Sequence, residues 1–89
     1  MKNDFSSIDN RNLVFDFSKL KGKIKEVFET QNIFAEKIGI NESTLSNKLN
    51  NKAEFSTIEI VKACFLLHID FCEVNEYFFN LKVQKNEQN

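Results

Sequence analysis

Between Gln31 and Leu49, Phe34, Ala35, Ile38, Ile40, Leu45 and Leu49 set apolar side chains at helical spacing on either side of one glycine, Gly39. The spacing predicts two short helices set at a sharp angle. One runs over about 31–38 with Phe34, Ala35 and Ile38 inward, and the other over about 42–49 with Leu45 and Leu49 inward. Gly39 ends the first, because glycine takes the left-handed conformation that a helix C-terminus often needs. Ala35 is small where the two helices must cross closely. Ile38, Ile40 and Leu45 fill the angle between them, so that the second helix presents its polar side outward as a unit. That combination is what a helix-turn-helix requires.

The flanking sequence reads as more short helices. Leu13, Val14, Phe15 and Phe17 form an apolar lead-in, and Asp16 or Ser18 can accept the free amides of a helix that follows. In it Leu20, Ile24, Val27 and Phe28 make one apolar stripe, with Lys19, Lys21, Lys23 and Lys25 on its sides and back. Thr30 caps the second helix and Asn41 the third. Ser56 with Glu59 is a capping box opening a fourth helix to about Leu67, with Ile58, Val61, and Cys64 or Phe65 turned inward. Asp70 with Glu73 is a weaker echo of that box, opening a fifth helix through Val74, Tyr77 and Phe78. No alternating run is long enough for a sheet. The expected fold is therefore all-α, a compact bundle of five short helices containing a helix-turn-helix. Residues 1–12 are expected to be a flexible arm, 13–81 the domain and 82–89 a disordered tail.

Composition narrows the function. With 89 residues, ten Phe and no Pro, the chain has room for a single small core. Its longest apolar run, Ala63 to Leu67, is far short of the roughly 20 residues that cross a bilayer. No signal-peptide stretch opens the sequence, so a cytoplasmic protein without a membrane partner is expected. Cys64 and Cys72 lack further ligands at metal spacing and read as buried thiols. His68, the lone histidine, reads as a cap at the end of the fourth helix. No acid, base and nucleophile converge, so neither an enzyme nor a metal or other cofactor is expected. The net charge is −1, but it is polarised: residues 18–52 carry a balance of +3 and residues 53–89 a balance of −3.

The pattern Gln31-x-x-x-Ala35-x-x-x-Gly39-Ile40-x-x-x-x-Leu45-Ser46-x-x-Leu49-Asn50 resembles the helix-turn-helix of the phage repressor and Cro family, the lambda-repressor-like domains. Residues 15–79 resemble a small phage-encoded, single-domain group within it. That group opens Phe-Asp-(Tyr/Phe)-Ser-Lys-Leu-(Lys/Arg)-Gly, here Phe15 to Gly22, and closes on Tyr-Phe-Phe, here Tyr77 to Phe79. The resemblance implies a regulator, acting in the cytoplasm of a bacterial host cell, that inserts its third helix in the major groove of double-stranded DNA. Glu42, Ser43, Thr44 and Asn47 then face base edges. Thr30, Gln31, Lys48, Asn50, Asn51 and Lys52 contact phosphates, joined by one or more of Lys19, Lys21, Lys23 and Lys25. Glu42 departs from the glutamine common in relatives. Its carboxylate can accept from cytosine N4 but is repelled by phosphates.

The aromatic excess of the last helix suggests a homodimer that joins through Tyr77, Phe78 and Phe79 and binds two half-sites. The first functional expectation is thus a sequence-specific DNA-binding repressor of the Cro type. The alternative is a protein-interaction module on the same scaffold, an antirepressor or an inhibitor of a host factor. Net −1 and Glu42 at the groove-facing position lean towards that alternative.

Overall fold

The computed structural model describes residues 13–83. The arm expected at 1–12 and the tail from residue 84 lie outside them. In chain order the elements are strand β1 (Leu13–Phe15) and helices α1 (Ser18–Phe28), α2 (Gln31–Ile38), α3 (Glu42–Leu49) and α4 (Thr57–Leu67). A 3-10 turn (Phe71–Glu73), helix α5 (Val74–Phe78) and strand β2 (Leu81–Val83) complete the order.

Local chemistry sets most of these boundaries. The Asp16 carboxylate accepts from the Ser18 amide at 2.9 Å and its hydroxyl at 2.6 Å, at the start of α1. Those two bonds hold the Asp16 carboxyl below its ordinary value. Thr30 Oγ1 accepts from the Ile33 amide at 3.2 Å, opening α2. Gly39, at φ 90°, closes it in the left-handed region. Asn41 Oδ1 accepts from the Thr44 amide at 2.9 Å and opens α3. Ser56 and Glu59 form a reciprocal capping box at the start of α4. That helix ends on His68 at φ 60°, whose amide donates to the Cys64 carbonyl. The Asp70–Glu73 echo makes no side-chain cap; instead the Glu73 amide donates to the Asp70 carbonyl at 2.8 Å, which tightens the segment into the 3-10 turn.

The helices enclose one core, in which Leu20, Phe34, Ala35, Leu45 and Leu67 are completely buried. A run of edge-packed aromatics extends it. Phe17 meets Phe55 at 5.5 Å between centroids and Phe55 meets Phe78 at 5.2 Å, both near perpendicular. Phe15 lies against Phe17 at 6.1 Å and Phe79 at 6.2 Å. This run accounts for much of the phenylalanine content, because edge-to-face rings fill space at the preferred separation.

Several expectations are corrected. The apolar lead-in is a strand: β1 pairs antiparallel with β2, with Leu13 opposite Val83, Val14 opposite Lys82 and Phe15 opposite Leu81. Residues 82 and 83 therefore belong to the ribbon and not to a tail. On α4 the inward residues are Ala63, Cys64 and Leu67, with Ile60 packed at their edge, while Ile58 and Phe65 face outward. Of the three aromatics expected at a dimer surface, Tyr77 and Phe78 are buried within the chain and only Phe79 is exposed. Cys64 is buried, but Cys72 is exposed.

Candidate functional site

Two surfaces stand out, the outer side of α3 with its loop and the outer side of α4. On α3 the inward Leu45 and Leu49 lock the helix against the core, and Glu42, Ser43, Asn47 and Asn50 are exposed beside half-buried Thr44, Ser46 and Lys48. The four residues expected to read bases are thus on one helix, three of them fully open. Ser43 donates its hydroxyl to Asn41 Oδ1 at 3.0 Å, which leaves its oxygen free to accept. Glu42 puts a negative charge in the first turn of this helix.

The residues expected to hold phosphates behave differently. Lys48 turns its ammonium inward, donating to the Glu54 carbonyl at 2.8 Å and pairing with Glu59 at 3.0 Å. Both partners in that ion pair are largely covered, their side chains 12% and 18% exposed. Burial alone pushes the Glu59 carboxyl up, but the Ser56 amide and the Lys48 ammonium outweigh it and hold the group below its ordinary value. Asn51 is also engaged. Its Oδ1 accepts from the Phe15 amide at 2.8 Å, and its Nδ2 donates to the Phe15 carbonyl at 2.9 Å. One side-chain amide therefore takes the place of a third strand along the outer edge of β1. Asn50 Nδ2 donates to Ser46 Oγ at 3.3 Å. Lys52 is exposed, Gln31 is half-buried, and Thr30 uses its hydroxyl as the α2 cap.

Among the lysines of α1, Lys19 pairs with Glu76 and sits 4.9 Å over the Tyr77 ring. The bond to Glu76 raises its pKa. Lys23 lies 3.8 Å from Glu26, while Lys21 and Lys25 point to solvent. The cationic half of the sequence is therefore neutralised in part by the fold itself.

The outer side of α4 was not expected to be functional. Ile58 is 64% exposed, Phe65 70% and Phe71 56%, and Phe65 joins Phe71, His68 and Asp70 around a shallow depression floored by Cys64 and Ile69. The signal that could have found it is the unbroken apolar run 63–67. A helix buries one stripe of such a run, and the stripe Ile60, Ala63, Cys64 and Leu67 leaves Phe65 outside. A separate cleft of about 490 Å³ lies between β1, Phe17, the segment 51–55 and Phe78. Among the described residues no group of three His, Cys, Asp or Glu could hold a metal ion, and no helix is long and apolar enough to cross a membrane.

A family model described as "Protein of unknown function (DUF739)" matches residues 13–81. Among solved structures, the solution structure of the modulator of repression (MOR) of the temperate bacteriophage TP901-1 from Lactococcus lactis is similar. The identity is 42% and the TM-score 0.66, over 74% of this chain and 89% of that one. Comparison with curated proteins finds no match.

Proposed function

The chain belongs to the DUF739 family, whose model spans most of its length, and from that premise we propose that it regulates phage repression by docking on a protein partner, the repressor of its own phage. The observation that carries this reading is the 42% identity to a phage modulator of repression, over nearly all of that protein. A relative of that kind also argues for a non-enzymatic role.

The surface chemistry supports contact with protein over contact with DNA. DNA binding draws its affinity from cations that neutralise phosphates. Here Lys48 is held by Glu59 and Glu54, Asn51 by Phe15, and Lys19 by Glu76. Glu42 adds a negative charge at the end of α3 that a phosphate would approach. The exposed apolar side chains of α4 are what a protein interface needs at its centre.

The second reading is sequence-specific binding of double-stranded DNA through α3, as in the repressor and Cro type. The exposure of Glu42, Ser43 and Asn47 favours it, with Thr44 beside them, and Thr30, Gln31, Asn50 and Lys52 would flank the groove. A homodimer in this reading would join through Phe79 and its neighbours on the ribbon.

Selection from random duplex DNA, run beside calorimetric titration with the purified phage repressor, separates the two. Saturable binding to the repressor with no enriched DNA sequence supports the first reading. An enriched operator-like sequence, held with a steep salt dependence, would replace it with the second.

A further inference from the structure

The outward face of α4 carries large apolar groups where a solvated helix would be polar. Ile58 and Phe65 stand seven residues apart, two helical turns, and so share one side of the helix. Phe71, from the 3-10 turn, rests edge-on against Phe65, with centroids 6.0 Å apart and rings at 80°. Lys62 lies between Ile58 and Phe65, but its ammonium is turned to the Ile38 carbonyl at 3.4 Å, at the C-terminus of α2.

Beside the two rings stands Asp70, which lines the same depression. It occupies the N-cap position of the 3-10 turn yet makes no side-chain cap bond. The ion pairs among the described residues are Lys19–Glu76, Lys23–Glu26 and Lys48–Glu59, so the Asp70 carboxylate is in none of them. Glu73, next along the turn, is exposed as well.

Two exposed aromatic rings next to an unpaired carboxylate form a receptor for a guanidinium. The planar cation stacks on a ring while its fork of donors meets the carboxylate oxygens. We infer that the Phe65–Phe71–Asp70 depression receives an arginine-bearing segment of the protein partner, with Ile58, about 10 Å along the helix from Phe65, covering an apolar side chain of the same partner. The inference rests on the protein-partner reading above and names the face and the partner chemistry it uses. Charge complementarity selects this occupant. A nucleic acid would meet Asp70 and Glu73 with its phosphates. A second copy of this chain would bring like carboxylates together, and a wholly apolar peptide would bury Asp70 without a counter-charge.

The test is calorimetric titration of the full chain with the purified repressor of the same phage at two salt concentrations. Phe65→Ala is expected to weaken binding by about tenfold or more, as removal of a central aromatic anchor does. Asp70→Asn is expected to weaken it by about tenfold and to flatten the salt dependence. Ile33→Ala, which alters an exposed apolar residue on α2, leaves affinity unchanged. Phe65 is mostly in solvent, so its loss leaves the fold intact, which an unchanged thermal melt verifies. If wild-type protein binds the repressor and both α4-face variants bind equally well, the assignment of this face is overturned while the protein-partner reading stands. If wild-type protein binds no repressor, both are overturned.

Discussion

Asn51 ties two stretches of chain that are far apart in sequence. At φ 64° it sits in the left-handed region, which asparagine tolerates better than most residues. Its amide then pairs with both the N–H and the C=O of Phe15. Asn51→Gly keeps the backbone conformation and removes the pairing, so urea unfolding is expected to show a loss of about 1–2 kcal/mol. Gly39 makes the complementary case. A Cβ there would meet Lys62 Nζ at 3.9 Å, an ordinary contact, so the cost of Gly39→Ala is backbone strain alone. That cost is expected to be about 1–2 kcal/mol in the same assay.

Glu59 links stability to pH. Its carboxyl is held below the ordinary 4.5, so the stabilisation is fully present above that pH and is lost as the pH falls through the lower folded-state value. Glu59→Gln is therefore expected to be less stable than wild type at neutral pH, with the gap narrowing below 4.5 when denaturant midpoints are measured across a pH series. A gap independent of pH would remove the ion pair with Lys48 from the account. The sequence contained the Ser56–Glu59 box at this site but not the lysine, because the approach of Lys48 depends on where the fold sets the end of α3 beside the start of α4.

At the scale of elements, what was legible was local. Thr30, Gly39 and Asn41 act on backbone groups within three or four residues of themselves, so the bounds of α2 and α3 follow from them directly. The same holds for the start of α4, where Ser56→Ala is expected to cost about 1 kcal/mol in thermal or urea unfolding. The rotation of α4 was less legible. Its apolar run has no period, and only the positions of the neighbouring helices decide that Cys64 faces inward and Phe65 outward. The β ribbon was not legible at all. Its strands have three residues each, too few to display alternation, and they join the two ends of the described chain. The aromatics of the last helix were ambiguous for a related reason. Tyr77 and Phe78 close the core against α1 and Phe55, a use that sequence cannot tell from an interface.

For the molecule as a whole, the fold class and the exposure of the polar side of α3 could be read in the sequence, whereas the state of its charges could not. The cations expected to serve phosphates are in part consumed by pairs within the fold, which leaves a helical scaffold with an ordinary polar α3 and an apolar α4 face. Kinship with a phage modulator of repression fits that surface. The most direct test follows labelled operator DNA by fluorescence anisotropy, with the phage repressor alone, with this chain alone, and with both together. This chain alone is expected to leave the operator signal unchanged even at low salt, and its addition to shift the repressor's binding curve. Saturable binding of the operator by this chain alone, with no effect on the repressor's curve beyond competition for the site, would contradict it.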